Sequence, residues 1–462
     1  MIPNLAIELA ERYPDQFTLQ YPPAREYFRE NFPGEMLQVD LSRIRQILVY
    51  LHIPFCEQKC AYCNFAVLPG QPSEVRTGYV DALIEQLTAV DQVLGAETRI
   101  PGIDLGGGTP TALEARDLER LLTALIPLRR RLEHPWPISV ETTPEAAANQ
   151  PDRLRTLVDG GVGRISLGLQ TTNTTLLSGL GRGRNRGLEQ CAAERIHEVG
   201  FQRFNVDLIF GLPGQELVDW TRDLTKVIGM GPDSVTTYDC LYRGAHRLLP
   251  RRGNAPPTPE HYGRLYDEAY ERLITAGFHA PYGSVNFSRR KDETGTSAYF
   301  EGRLLDGFPY LGLGNEASSL VGHQWWFGPA GIEAWKNAIR RGEALPYGDL
   351  YHLPAEERMA KYILLSLSFG RIDPGRFQRI FSAPIETWFG QALEVAQAEQ
   401  WLVLSHGNYL MPPGSFRHLP ALRSLFYSER ALRWLASSKG MPPRRRSLGM
   451  APSNSDSAPP GA

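Results

Sequence analysis

Six apolar runs rich in β-forming residues recur between residues 46 and 241, and they constrain the fold more than any other feature of this 462-residue chain. The segments between the runs have apolar residues at a spacing near 3.6, the period of a helix. Strands that alternate with helices form βα units around a parallel sheet, and almost wholly apolar runs suit strands buried on both faces. The sequence therefore predicts an α/β fold with an open or closed barrel. Its predicted strands are 47–54, 102–107, 137–144, 164–170, 203–213 and 234–241.

The chain divides into four predicted regions. Residues 1–45 form an N-terminal arm, and residues 46–350 form the α/β core with an aromatic-rich extension. Residues 351–436 form a C-terminal module, in which three helical segments precede two short strands around a His-Gly-Asn turn. This order is typical of a winged helix. The remaining tail, 437–462, lacks the apolar residues that a core requires, so we expect it to be disordered.

Composition excludes several classes of protein. The 49 basic residues are balanced by 51 acidic ones, whereas a dominant nucleic-acid binder usually has a basic excess. No apolar run approaches the roughly 20 residues of a membrane-spanning helix. The N-terminus turns acidic early and lacks the basic start of a secretory signal. We therefore expect a cytoplasmic protein that has neither a nucleic-acid partner nor a membrane span.

Three of the five cysteines, Cys56, Cys60 and Cys63, follow the first predicted strand with the spacing C-x3-C-x2-C. A zinc site usually needs a fourth ligand and C-x2-C pairs, and Cys191 and Cys240 are isolated from the cluster. Three thiolates on one loop suit a [4Fe–4S] cluster with one open iron instead. An open iron is able to bind a cofactor or a substrate.

The cysteine spacing after a first barrel strand resembles that of the radical S-adenosylmethionine (SAM) superfamily. The string YLHIPFCEQKCAYCNF resembles one branch of it, which contains oxygen-independent coproporphyrinogen III oxidase, the heme chaperone, and class C methyltransferase and cyclopropanase relatives. The resemblance extends over about residues 45–420. It implies a partial (β/α)6 TIM-type barrel whose cluster cleaves SAM to a 5′-deoxyadenosyl radical. It also implies a reductase or flavodoxin-type electron donor.

The same resemblance implies which residues bind SAM. Glycines permit close backbone approach, and a carboxylate at the end of a buried strand is costly unless it is paired or ligand-bound. As alternatives to SAM contacts, Tyr50 and Tyr62 are core aromatics, Arg182 pairs with a carboxylate, and Asp207 caps a helix. The expected contacts to a first SAM are Tyr50, Gly107, Gly108, Thr109 and Glu141, and those near a second SAM are Tyr62, Gln170, Arg182 and Asp207.

Two departures from the branch shape the expected reaction. Phe65 stands where the oxidase has a fourth cysteine, and Gly295–Phe300 and Ser318 stand where the heme chaperone carries histidines. We therefore expect two SAM molecules to be used for C-methylation or cyclopropanation of a small unsaturated or aromatic molecule. A heme chaperone or an oxidase-like tetrapyrrole enzyme is the alternative, and a cluster-containing scaffold is a third. Tyr62 and Glu316 are the candidate catalytic residues.

Overall fold

A computed structural model describes residues 2–12, 17, 25–132, 138–240, 242 and 257–437. The predicted tail therefore lies outside the described residues from residue 438 onwards. The strands in the described part are β1 (Leu48–Ile53), β2 (Phe55–Cys56), β3 (Leu68–Pro69), β4 (Ile103–Gly107), β5 (Ile138–Thr142), β6 (Arg164–Gln170), β7 (Arg203–Phe210), β8 (Ser234–Asp239), β9 (Asn286–Ser288), β10 (Tyr310–Leu313), β11 (Ser318–Val321), β12 (Gln324–Phe327), β13 (Asp349–His352), β14 (Arg371–Ile372), β15 (Val403–Ser405) and β16 (Asn408–Leu410).

Several helices begin where the sequence supplies a capping side chain. Thr143, Thr258, Asp373 and Ser428 each accept a hydrogen bond from a backbone N–H of the first helical turn, which satisfies a donor that the helix itself leaves unpaired. The helices are α1 (Ile2–Arg12), α2 (Arg25–Asn31), α3 (Ser73–Val93), α4 (Ala115–Ala124), α5 (Ile126–Arg129), α6 (Pro144–Asn149), α7 (Pro151–Asp159), α8 (Thr174–Gly179), α9 (Glu189–Val199), α10 (Leu217–Gly229), α11 (Pro259–Thr275), α12 (Ala298–Leu304), α13 (Ile332–Arg340), α14 (Ala355–Ser366), α15 (Pro374–Phe381), α16 (Ile385–Ala398), α17 (Leu419–Ser424) and α18 (Glu429–Ala436).

One 11-stranded sheet dominates the fold, in the order β13-β12-β11-β10-β1-β4-β5-β6-β7-β8-β9. All neighbours from β10 to β8 run parallel, whereas β9 and β11 to β13 are added antiparallel. The six predicted strands are confirmed as β1 and β4 to β8. The sheet ends at β13 and β9 without joining them, so the α/β fold contains a partial, open barrel.

The two faces of the parallel strands differ in chemistry. Residues such as Val140 and Val206 belong to the buried apolar core. On the opposite face, Asn205 donates to Ser166 Oγ at 2.8 Å, and Ser166 Oγ donates to Asp207 at 2.7 Å. TIM-type barrels usually fill their interior with branched apolar side chains. A polar interior therefore favours a ligand site over packing.

The N-terminal and C-terminal elements share one core with the sheet, because a single cluster of buried apolar side chains runs from Ala6 to Leu435. A small antiparallel sheet, β14-β16-β15, accompanies α14, α15 and α16, and the winged-helix-like module stays a prediction. The region boundaries at residues 45, 350 and 436 stay predictions. Among the described residues, every helix is too short or too polar to cross a membrane.

Candidate active site

The three clustered cysteines lie on one loop at the carboxyl end of β1. The loop leaves through β2 and returns through β3, which pair parallel with Cys56 opposite Pro69. Inside it, the Cys63 N–H donates to the Cys60 carbonyl at 3.2 Å. All three thiols are half-buried. Phe65, on the same loop, is 61% exposed.

This loop fits an iron–sulfur cluster better than a single metal ion. Within the described residues, no three Cys, His, Asp or Glu side chains converge on one point where an ion would sit, as a zinc site with ligands at roughly 2.3 Å requires. A [4Fe–4S] cluster is larger, and its thiolates bind different iron atoms. Burial raises the pKa of Cys56 to about 11, so this thiol ionises only beside positive charge such as that of bound iron.

Arg182 connects the cysteine loop to the sheet. Its guanidinium donates to the Tyr62 hydroxyl at 2.9 Å and to Cys60 Sγ at 3.6 Å, and it also donates to the Gly168 carbonyl on β6. The Ala61 N–H donates to the carbonyl of Leu180, just before Arg182, at 2.9 Å. The structure therefore places Arg182 and Tyr62 directly behind the cysteines.

The glycine-rich turn after β4 lies against the same loop. A Cβ on Gly107 would stand 2.2 Å from His52 Nδ1, and one on Gly108 would stand 2.6 Å from the Phe55 carbonyl oxygen. Gly107 also has a φ of 103°, which side chains disfavour. Thr109 Oγ1 lies 3.6 Å from Cys56 Sγ. Only bare backbone fits here, and the Gly108 and Thr109 N–H groups donate to the Ile53 and Phe55 carbonyls at 2.8 and 2.7 Å, which fixes the turn beside the cysteines.

Glu141 reaches this turn from the end of β5. A Cβ on Gly106 would stand 2.8 Å from Glu141 Oε1, and the Gly107 N–H donates to Oε2 at 3.4 Å. Burial, followed by the charges of Asp207 and Asp104, raises the pKa of Glu141 to about 8. A cationic ligand would reverse this effect, because positive charge stabilises the carboxylate.

A small cleft, partly open to solvent, occupies the barrel interior below the turn. Three carboxyl groups and one guanidinium line it together with hydroxyl groups. Burial raises the pKa of Asp104 to about 7 and also raises the pKa of Asp207. The polar side chains that line the cleft are Asp104, Ser139, Glu141, Arg164, Ser166, Asp207, Thr236, Tyr238 and Thr296, and Phe300 adds an aromatic wall.

Gln170, Arg182 and Asp207 each lie next to Gly168. Gly168 lies opposite Asp207 in the register of β6 and β7, and the register shifts between Gly168 and Gln170. Gln170 has a φ of 71°, an uncommon conformation that a bulge imposes. A Cβ on Gly168 would stand 3.0 Å from Gln170 Nε2 and 3.9 Å from Arg182 Nη2. The structure therefore brings these three predicted residues together.

The remaining predicted residues have different positions. Tyr50 lies on β1 with its ring 5.7 Å from that of Tyr299, and burial raises its pKa. Glu316 lies in the β10–β11 turn, where its N–H donates to the Pro329 carbonyl at 3.3 Å, and it does not line the cleft. A catalytic role for Glu316, like that for Tyr62, stays a prediction.

Sequence reasoning missed four charged residues inside the fold. Asp104 and Arg164 lie on β4 and β6 and line the cleft, while Arg303 and Lys361 lie on α12 and α14. Asp104 and Lys361 each interrupt an otherwise apolar run, in the letters GIDLGG and MAKYILL. Because buried charges are rare unless they are paired or functional, these interruptions were the available signal.

Comparisons with known proteins identify the family. The model of the radical SAM superfamily matches residues 50–227. A heme chaperone of Lactococcus lactis is 35% identical over 281 residues, which cover 59% of this chain and 69% of that protein. The anaerobilin synthase of Escherichia coli O157:H7 is 27% identical over 354 residues, which cover 74% of this chain and 77% of that protein.

The solved structure of coproporphyrinogen III oxidase from Escherichia coli shares the fold, with a TM-score of 0.70 and 19% identity over 86% of this chain and 95% of that one. The chain therefore belongs to the radical SAM superfamily, in the branch of oxygen-independent coproporphyrinogen III oxidase and the heme chaperone. Membership implies a [4Fe–4S] cluster and SAM as cofactors.

Proposed function

We propose that this radical SAM enzyme acts on a tetrapyrrole. One observation carries the proposal: similar proteins with three different names, a heme chaperone, an anaerobilin synthase and a coproporphyrinogen III oxidase, are all named for tetrapyrroles. A tetrapyrrole substrate corresponds to the alternative function that the sequence analysis gave beside C-methylation or cyclopropanation. A planar, conjugated ring also agrees with the expected unsaturated or aromatic substrate.

In this proposal, each group of site residues has a separate role. Cys56, Cys60 and Cys63 hold the cluster, which when bound supplies the electron that cleaves SAM. The backbone of Gly107 and the carboxylate of Glu141 hold SAM beside it. Arg182 donates to Cys60 Sγ and balances the negative charge of the thiolates. The small-molecule substrate then lies in the cleft against the aromatic wall.

Conversion of the tetrapyrrole is favoured over its transport. The heme chaperone's first histidine corresponds to Gly295, whose φ is 82° and where a Cβ would stand 2.8 Å from the Phe287 carbonyl oxygen. The backbone therefore leaves no room for an imidazole. The second histidine corresponds to Ser318, which lies on β11. None of the described residues that line the cleft is a histidine, cysteine or methionine, the common ligands of heme iron.

Anaerobic binding and turnover test the proposal. Reconstituted protein is mixed with SAM, dithionite and either coproporphyrin III, heme or a non-tetrapyrrole control such as naphthoquinone. We expect one tetrapyrrole to bind at micromolar concentration and to increase 5′-deoxyadenosine formation, with a mass change in the tetrapyrrole itself. If no tetrapyrrole binds or changes, while the quinone does, the substrate class is wrong.

A second candidate, methyl transfer from a second SAM, has its own supporting observation. Gln170, Arg182 and Asp207, which the family resemblance relates to a second SAM, adjoin Gly168 in the structure. With substrate, SAM that carries a deuterated methyl group is expected to give S-adenosylhomocysteine and a deuterated product. An unlabelled product would exclude this reaction and leave the tetrapyrrole proposal standing. A flavodoxin-type electron donor and a cytoplasmic location also remain proposals.

A further inference from the structure

Two cations, the half-buried Arg303 and the buried Lys361, lie beyond the cleft, and neither has a carboxylate partner within ion-pair distance among the described residues. The Arg303 guanidinium lies over the Tyr310 ring at 4.3 Å, and the Lys361 ammonium lies over the Trp325 ring at 4.5 Å. Lys361 is only 8% exposed. Burial and the nearby Arg303 charge lower its pKa to about 7. Two like charges so placed destabilise the fold unless an anion joins them.

The surrounding polar atoms are donors that lack acceptors. Arg303 Nε, the Tyr310 hydroxyl and Trp325 Nε1 are all buried, and none has a hydrogen-bond partner in the described part of the chain. Tyr310 and Trp325 lie on β10 and β12, each in register with Leu320 of the strand between them. A group of donors without acceptors is complementary to an oxyanion, which accepts several hydrogen bonds at once.

This group of donors adjoins the cleft. Arg303 is one helical turn after Phe300, which lines the cleft, and both residues lie on α12. Asp104, which also lines the cleft and is influenced by the Arg303 charge, accepts from Ser297 through Oδ2 at 2.6 Å, while its Oδ1 is buried without a partner among the described residues. A planar substrate against the aromatic wall would therefore extend a side chain towards Arg303 and Lys361.

We propose that Arg303 and Lys361 form a subsite for a carboxylate side chain of the substrate. The inference rests on the proposed function, because peripheral carboxylates are the common anionic groups of tetrapyrroles. The cleft itself already holds three carboxyl groups, so a substrate acid would be repelled there. The subsite thereby orients the ring, with its acid edge towards α14 and its opposite edge towards Glu141 and the cysteines.

Trp325 gives a local probe, since the Lys361 ammonium lies directly over its ring. The cluster-loaded protein is titrated with coproporphyrin III and with its tetramethyl ester, which has the same ring without the charges, and tryptophan fluorescence is recorded. We expect the acid to bind roughly 10- to 100-fold more tightly than the ester, the range for hydrogen bonds to charged groups. Lys361→Met and Arg303→Met should each remove most of this preference, whereas Lys361→Arg should retain it.

Controls separate this role from a structural one. Lys291→Met removes an exposed lysine and should leave the preference unchanged. Lys361→Met should not lower the urea midpoint, because an apolar isostere of an unpaired buried cation is neutral or stabilising. A marked loss of stability in this variant would assign Lys361 a structural role and contradict the subsite.

The outcomes distinguish the subsite from the proposed function. Equal affinity for acid and ester, unchanged in the variants, would overturn the subsite while supporting a tetrapyrrole substrate. If neither porphyrin binds, but millimolar succinate changes Trp325 fluorescence in the wild type and not in Lys361→Met, the substrate class is wrong and the anion subsite is supported. If neither porphyrin nor succinate has an effect, both are overturned.

Discussion

At the scale of single residues, the site is defined by charges that the barrel buries. The Glu141 carboxylate lies against the Gly106–Gly108 turn, and Arg182 lies against the cysteines. Buried charges destabilise a protein unless partners compensate them. The acidic cleft therefore favours a cationic ligand such as SAM, and Arg182 places a positive charge beside the cysteine loop.

Glu141→Gln should leave the iron content unchanged and weaken SAM binding. Loss of one charged acceptor in a buried site costs about 1.5–3 kcal/mol, or roughly 10- to 150-fold in affinity. Calorimetry on the cluster-loaded variant measures the change. Glu114→Gln is the matched control, because this exposed carboxylate pairs with Arg153 away from the cleft. Unchanged SAM affinity in Glu141→Gln would show that the carboxylate has a structural role.

SAM binding should also release protons near neutral pH. Burial raises the pKa of Glu141 to about 8 and that of Asp104 to about 7, so both groups are partly protonated in the free protein. The cationic ligand lowers these pKa values, and affinity therefore rises as the pH increases from 6 to 8, by up to about tenfold per unit for each proton released.

Calorimetry at pH 7 in phosphate and in Tris measures the released protons, because the two buffers differ in ionisation enthalpy. The apparent binding heats should differ for the wild type and differ less for Glu141→Gln. Identical heats in both buffers would contradict proton release, and the carboxyl groups would then not respond to the SAM charge.

At the scale of elements, the six parallel strands were predictable because each is a local apolar run. β10 was not, since its four residues, Tyr310–Leu313, pair with β1 across more than 250 positions of the chain. The bulge at Gln170 also arises from the register of β6 and β7. Cysteine spacing and the glycine turn indicated the cofactor positions. The proximity of Asp104, Arg303 and Lys361 to a cleft arises only when the sheet folds, so the sequence did not reveal their roles.

Within the cysteine loop, each thiol should be essential to the cluster. Cys60→Ala removes the thiol that Arg182 contacts at 3.6 Å and should abolish iron and sulfide incorporation, as should alanine at Cys56 or Cys63. Cys191→Ala is the control, since Cys191 lies on α9 outside the loop. Iron and sulfide analysis after anaerobic reconstitution measures the effect. Full cluster content in Cys60→Ala would exclude the three-thiol site.

At the scale of the whole molecule, one hydrogen-bonded group joins the N-terminal arm to the C-terminal module. The Tyr27 hydroxyl of α2 donates to Glu357 Oε1 of α14 at 2.6 Å, and Ser428 Oγ donates to the same oxygen at 2.7 Å. The other oxygen, Glu357 Oε2, is buried without a partner in the described residues. The carboxylate is therefore sensitive to the loss of either donor. Lys361 lies one helical turn after Glu357 on α14, so the junction fixes the helix that carries it.

Tyr27→Phe should destabilise the protein without changing its cluster. The phenyl ring retains the edge contacts with Phe28 and Trp434, so the loss is that of one hydrogen bond to a buried carboxylate, about 1.5–3 kcal/mol. Urea unfolding should show a lower midpoint with an unchanged slope, since the same surface is exposed on unfolding. Tyr347→Phe is the control, because that side chain is 39% exposed.

Because Phe cannot donate, Glu357→Gln should recover part of the loss in the double variant, as a neutral amide tolerates burial better than an unpaired carboxylate. Additive losses in the double variant would show that Tyr27 stabilises the arm through packing alone.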